Sequence, residues 1–334
     1  MTLIAEPRTA PALRWGILGA GNIAGHFTDA LHAETESRAV AVGSRNRDKA
    51  ARWAAAHGVP TVHGSYAELV ADPQVDVVYV ATPHSEHREH ALLAIAAGKH
   101  VLVEKAFTRN AAEAREVLDA AKAAGVFVME AMWTRFLPHV QALHQILDSG
   151  EIGEVVALFA DHGQFFPLDP SSRLYDPALA GGALLDLGVY PVSFAHDLLG
   201  APRSVHATGQ LTTTGVDGQI GVVLDYGERT QATLSTTLWA RTPTTAAITG
   251  TDGAITVEGS FYAPTSFTVQ RRDGRVWTFD RPTPHGLQFE AAEVARRITE
   301  GATQSPRMTW QHTLDVMTTM DTIREQIGVR YPGE

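Results

Sequence analysis

The sequence predicts an α/β protein: a doubly wound parallel sheet in the first half, then an α+β region with a large open, mostly antiparallel sheet. Three observations predict it. Between residues 13 and 133, short apolar runs alternate with amphipathic segments at short spacing, the pattern of strands and crossover helices. The first run, residues 15–18, ends in Gly19-x-Gly21-x-x-Ala24 and leads into an amphipathic segment. From residue 155 onward β-type runs dominate, several alternating polar with apolar residues. Asp217-Gly218, Tyr226-Gly227, Asp252-Gly253 and Asp273-Gly274 stand between them as turns.

The 334 residues, with 44% hydrophobic content, suffice for two domains. We expect a loose tail over 1–12, a dinucleotide-binding domain over 13–133, and a substrate-binding and oligomerisation domain over 134–334. The formal net charge of −10 argues against a nucleic-acid partner. The absence of Cys excludes disulfides, thiol nucleophiles and Cys-ligated zinc, and fits a cytoplasmic location. Residues 1–12 lack the apolar core of a signal peptide, and no apolar run is expected to reach membrane-spanning length.

Strand, glycine turn and helix together form a dinucleotide fingerprint. Gly19 permits the tight turn, Gly21 lets the backbone approach a pyrophosphate, and Ala24 keeps the helix close to the strand. Asn22 and Ile23 open the helix, whose free N–H groups favour phosphate. Further strands are expected at 38–43, 59–62, 75–81, 100–104 and 126–129, with helices between them. Ligands of such sheets lie outside the carboxyl ends of the strands, so the residues that follow each strand are the ones to inspect.

Ser44 and Arg45 follow the second strand, where a carboxylate would select NAD(H). Hydroxyl and guanidinium groups instead suit a 2′-phosphate, so NADP(H) is the preferred cofactor and NAD(H) the alternative. Thr82-Pro83 ends the strand at 75–81. His84, His87 and His90 follow at a spacing of three; a surface helix explains them as well as a metal site, and His84 is a candidate for the cofactor ribose. Glu104-Lys105 ends the strand at 100–104, a position beside a nicotinamide.

In the second half a helix interrupts the strands at 181–196. Asp186 and Tyr190 lie four apart on it, and Pro191 should distort the turn before it. On spacing alone, Tyr190 reads as a core residue. Trp133 and Arg135 are candidates for the cofactor site, and Trp133, Phe165 and Trp239 for lining a sugar or diol pocket, although core packing is their commoner role. Asp161-His162 is a further pair to test for metal binding.

These pieces resemble the glucose-fructose oxidoreductase / inositol dehydrogenase / rhizopine-catabolism family. Within it they are similar to the branch with dimeric dihydrodiol dehydrogenases and NADP-dependent xylose dehydrogenases. The matching residues are Gly19 to Ala24, Ser44-Arg45, Ala-Thr-Pro83 with His87, Glu104-Lys105, Met-Trp-Thr-Arg-Phe136 and Gly-Gly-Ala-Leu-Leu-Asp-Leu-Gly-Val-Tyr190. The resemblance spans nearly the whole chain, and its last two pieces are specific. It implies a Rossmann domain followed by a large open sheet used in homodimer or homotetramer contacts, a sugar, polyol or diol substrate, and no metal; charge and composition already argue against nucleic-acid and membrane partners. It also implies Lys105, Asp186 and Tyr190 as the catalytic group. Two departures stand out: Ala106 where the wider family has Pro, and His84 where it has Asn.

The implied chemistry is hydride transfer with Tyr190 exchanging the proton. A free phenol titrates at about 10, poorly matched to neutral pH. An ammonium at about 4 Å, with an effective dielectric near 20, favours the phenolate by roughly 4 kcal/mol, and desolvation takes some of this back. Two other classes compete: a metal-dependent lyase or hydrolase using the histidines, and a non-catalytic NADP(H)-sensing protein. The sensing protein needs neither Lys105 nor Tyr190.

Overall fold

A computed structural model describes residues 5–281 and 283–334; residues 1–4 of the expected tail lie outside the described residues. The chain divides into two units. One comprises Ala5–Trp133 with His285–Leu314; the other comprises Thr134–Pro284 with Asp315–Glu334. Residues 285–314 therefore differ from the expected grouping of 134–334.

The first unit is built on a six-stranded parallel sheet. Its strands are β1 (Arg14–Leu18), β2 (Arg38–Gly43), β3 (Thr61–His63), β4 (Val77–Val80), β5 (His100–Glu104) and β6 (Val128–Ala131), in the order β3-β2-β1-β4-β5-β6. The order reverses beside β1, where α/β sheets open a crevice for ligands. The strands β1, β4 and β5 are buried almost throughout, so they read as apolar runs and not as alternating ones. The crossover helices are α1 (Asn22–Glu34), α2 (Arg47–His57), α3 (Tyr66–Ala71), α4 (His87–Ala96) and α5 (Ala111–Ala124).

Their ends follow local chemistry. Asn46, Ser65 and Asn110 accept backbone N–H groups at the starts of α2, α3 and α5. Gly58 and Gly125 end α2 and α5 in the left-handed conformation that a Cβ disfavours. The aromatic core stacks Phe27 on Tyr79, with Trp15 edge-on to Phe27.

Residues 5–12 are not loose. Pro7–Thr9 forms a single 3-10 turn, and Ala10 packs with Leu13 against Ala292 and Ala295. These two alanines sit on α8 (Gln288–Thr299); further helices are α6 (Pro138–Asp148), α7 (Val189–Leu199) and α9 (Trp310–Ile327). Burial of an apolar face on α8 outweighs the chain entropy a free tail would keep.

The second unit carries an eight-stranded mixed sheet. The strands are β7 (Val155–Gly163), β8 (Ser204–Leu211), β9 (Asp217–Asp225), β10 (Gln231–Thr237), β11 (Ala246–Gly250), β12 (Gly253–Val257), β13 (Phe267–Arg271) and β14 (Val276–Phe279). Their order is β14-β13-β12-β11-β7-β10-β9-β8, and only the β7–β10 pair runs parallel among the described ladders. Along β10, Ala232, Leu234 and Thr236 are buried while Gln231, Thr233 and Ser235 face outward. The sheet thus has one packed face and one open face, as the alternation predicts.

Pro177–Leu199 is apolar and long enough by composition to cross a membrane, contrary to the expectation that no run reaches that length. In the structure 89% of its most apolar stretch is buried within the protein, which accounts for its composition.

Candidate active site

In the first unit the glycine turn leaves room for a ligand. Gly19 has φ +106°, and a Cβ there would lie 2.7 Å from the Ala81 carbonyl, so only glycine fits. Gly21 precedes α1, whose first turn receives no side-chain cap, and a Cβ on Gly21 would meet nothing within 4 Å. Asn22 and Ile23 are exposed beside it, while Ala24 is fully buried against the sheet. Uncapped amides before an open glycine are what a pyrophosphate requires. Trp53 on α2, which sequence reasoning missed, donates its indole N–H to the Gly21 carbonyl at 3.2 Å and braces the turn.

The residues after β2 are arranged differently from each other. Ser44 is buried, and its hydroxyl accepts the Asn46 N–H at 3.2 Å. Arg45 is 70% exposed, with one guanidinium nitrogen 3.0 Å from a carboxylate oxygen of Glu86. This pairing joins the end of β2 to the loop after β4, and no local pattern announces it.

After β4 and β5 the candidates turn inward. His84 and His87 are buried with their rings edge to face. The two nitrogens of His87 lie 2.8 Å from the Thr82 carbonyl and 2.9 Å from the Ala106 carbonyl. Burial pushes its pKa down to about 4, against the opposing pull of the two carbonyls; the neutral ring donates its single N–H to one of them and lies between the loops that carry Thr82-Pro83 and Lys105. His90 bonds the Thr82 hydroxyl at 2.9 Å. Among the described residues no group of three or more His, Asp or Glu side chains is arranged to hold a metal.

Glu104 is buried and accepts from the Tyr79 hydroxyl and from the Lys105 N–H. Lys105 itself is half-buried, and its bond to Ala106 is cis. Glu130 accepts from the Phe107 N–H at 3.2 Å and the Thr313 hydroxyl at 3.0 Å. Glu290 on α8 is fully buried with no hydrogen-bond partner for either oxygen. Burial first, then Glu104 and Glu130, hold its carboxyl well above the usual range. Trp133 closes this unit, partly buried, in the 3-10 turn Trp133–Phe136.

In the second unit, Gly181-Gly182 introduces a π-helical turn, Leu184–Gly188, that runs into α7. The irregularity expected before Pro191 is this turn, and Asp186 sits within it. A carboxylate starts the segment: Asp217 accepts the Leu184 N–H at 2.6 Å. Burial pushes Asp217 up to about 6, against the opposing pull of the backbone amides. A Cβ on Gly182, at φ +113°, would lie 2.2 Å from that carboxylate. The Gly181 carbonyl accepts from the Tyr331 hydroxyl at 2.8 Å.

Tyr190 is 8% exposed and stacks on Tyr262, ring centroids 4.4 Å apart, with His162 at 5.4 Å. His162 contacts the Leu187 carbonyl through Nδ1 and the Gln164 amide through Nε2, so it supports the π turn. Asp161 next to it accepts from the backbone of Thr244 and Thr245. Asp186 pairs with Arg173 at 2.9 Å. Tyr262 and Arg173 come from loops in which no sequence pattern marked them.

Arg135 is buried against α7: Nε donates to the Ser193 hydroxyl at 3.2 Å, and Nη1 lies 3.3 Å from Asp197. That contact holds the helix carrying Tyr190. Phe165 is 64% exposed after β7, and Trp239, 40% exposed after β10, lays its indole over Gly218.

Comparison with known proteins follows this division. Residues 13–132 match the model of the oxidoreductase family with an NAD-binding Rossmann fold, and residues 140–256 match the GFO/IDH/MocA C-terminal domain. The chain is 37% identical to a trans-1,2-dihydrobenzene-1,2-diol dehydrogenase of Xenopus laevis over 96% of its length and all of that protein. It is 37% identical to a D-xylose 1-dehydrogenase (NADP(+)) of Hypocrea jecorina, covering 96% of this chain and 93% of that one. Among solved structures, a 3-ketoreductase of Actinomadura kijaniata in complex with NADP is 27% identical, with a TM-score of 0.85 over 95% of this chain and 98% of that one. The chain belongs to the Gfo/Idh/MocA family of oxidoreductases.

Proposed function

We propose that this protein is an NADP(H)-dependent dehydrogenase that moves hydride between the nicotinamide and a carbinol or hemiacetal carbon of a sugar, polyol or trans-diol. The observation that carries the reading is the near full-length similarity to dehydrogenases of a diol and of an aldose; Lys105, Asp186 and Tyr190 are the residues that the family resemblance implies as catalytic. Preference for the 2′-phosphorylated cofactor is supported by the exposed Arg45 guanidinium beside Ser44 and by the absence of a carboxylate at those two positions.

The open glycine turn fits a pyrophosphate, with Gly19 to Ala24 as its cradle. The bound nicotinamide supplies the hydride acceptor or donor. Tyr190 takes the substrate hydroxyl proton in oxidation and returns it to the carbonyl oxygen in reduction. The Lys105 ammonium favours the phenolate that does so. Asp186, its carboxylate held by Arg173, orients Lys105 or the reacting hydroxyl. Homo-oligomerisation through the open face of the eight-stranded sheet belongs to the same reading, and the exposed ring of Phe159 on β7 supports it.

The test is NADP+ reduction, followed by absorbance, with a panel of aldoses, inositols and trans-diols. At least one compound should reduce the cofactor. Lys105→Met and Tyr190→Phe should each lower kcat by about 10²- to 10⁴-fold while the Kd for NADPH changes little. Survival of turnover in either variant overturns the assigned role.

A further inference from the structure

Arg45 and Glu86 form an ion pair that the reading above does not use. The carboxylate comes from the short turn His84–Glu86 after β4, and the guanidinium from the loop after β2. One nitrogen of Arg45 lies 3.0 Å from Glu86 Oε1, and the arginine side chain is 70% exposed. The other carboxylate oxygen is buried and lacks a hydrogen-bond partner. His90, from α4, lies 3.9 Å from that oxygen through Nδ1, which bonds the Thr82 hydroxyl instead. Burial lowers the His90 pKa and so favours its uncharged ring. The Tyr66 hydroxyl, from α3, also reaches Arg45 and is uncharged. The arginine charge is therefore already matched by one carboxylate before any ligand arrives.

We propose that Glu86 is a specificity-determining residue that competes with the cofactor 2′-phosphate for Arg45 and so limits how strongly NADP(H) is preferred over NAD(H). This rests on the reading of Ser44 and Arg45 as the 2′-phosphate site. An incoming phosphate carries nearly two negative charges and meets a locally neutral pair, so it must draw Arg45 away or accept the repulsion of Glu86. A nucleotide with a free 2′-hydroxyl encounters neither cost. Glu86 thereby acts on only one of the two cofactors.

Calorimetric titration with 2′,5′-ADP and with 5′-AMP, at one ionic strength, tests this on the wild type, Glu86→Gln, Glu86→Ala and Arg45→Ala. The wild type should bind 2′,5′-ADP more tightly than 5′-AMP, and Arg45→Ala should lose that difference. Glu86→Gln and Glu86→Ala should tighten 2′,5′-ADP by about three- to tenfold, the scale of an exposed ion pair met by a doubly charged group, with 5′-AMP changed less than about twofold. A wild type that does not distinguish the two ligands overturns the NADP(H) reading and this inference with it. A preference that depends on Arg45, but is unchanged or weakened in both Glu86 variants, overturns this inference alone.

Discussion

Two helical segments of this protein begin after paired glycines, and they put those glycines to opposite uses. Gly19 and Gly21 precede α1, whose first amides have no side-chain cap and open space before them. Gly181 and Gly182 precede the π turn and α7, and there the protein supplies its own anion, the buried Asp217 carboxylate on the Leu184 N–H. The same backbone chemistry, N–H groups at a helix start, is offered to a ligand in one place and consumed internally in the other. Glycine before a helix is thus a statement about space; what fills the space decides between binding and scaffolding.

The largest expected effect is on the scaffolding side. Gly182→Val should be strongly destabilised, since its Cβ would overlap Asp217 and the positive-φ backbone is strained for a branched residue. A loss of about 4 kcal/mol or more is expected in chemical denaturation. Asp217→Asn comes next. The raised carboxyl binds its proton more tightly in the folded chain than in the unfolded one, where it titrates near 3.8. Its contribution is therefore fullest below that value and declines as pH rises to about 6, by about 3 kcal/mol at roughly 1.4 kcal/mol per unit. The difference in Tm between wild type and Asp217→Asn should follow that slope between these limits and flatten above it.

On the binding side, Gly21→Ala should leave Tm within about 2 °C, because its Cβ meets nothing, yet lower NADPH affinity about tenfold or more by filling the cradle. An intact affinity would mean that the turn is not a phosphate site. The smallest effect is expected for Trp53→Phe, which removes one hydrogen bond to the Gly21 carbonyl and should cost about 1 kcal/mol of stability.

What was legible in the sequence was local. The run into Gly19 and Gly21, the apolar strands β4 and β5, and the alternation along β10 are each set by neighbours within a few residues, so their patterns survive in one dimension. The return of 285–314 to the first unit was not legible, because what brings it there is the packing of Ala292 and Ala295 on Ala10, almost the length of the chain away. Likewise the partners of Arg135 on α7, Ser193 and Asp197, stand about sixty residues on, and nothing near Arg135 announces them. Pro191 announced an irregular helix, but its π form depends on Asp217 and His162, brought from β9 and β7. At Tyr190 the expected core setting was correct for the ring, which stacks on Tyr262, a partner from a distant loop.

Glu290 has a consequence for calorimetry. Its carboxyl sits beside Glu104 and Glu130 with no protein donor, in a setting that holds its proton more tightly than the unfolded chain does. Unfolding hands that proton to the medium. The heat measured on melting this protein should therefore include the heat of protonating the buffer, and two buffers of unlike ionisation enthalpy should report two different apparent enthalpies for one transition.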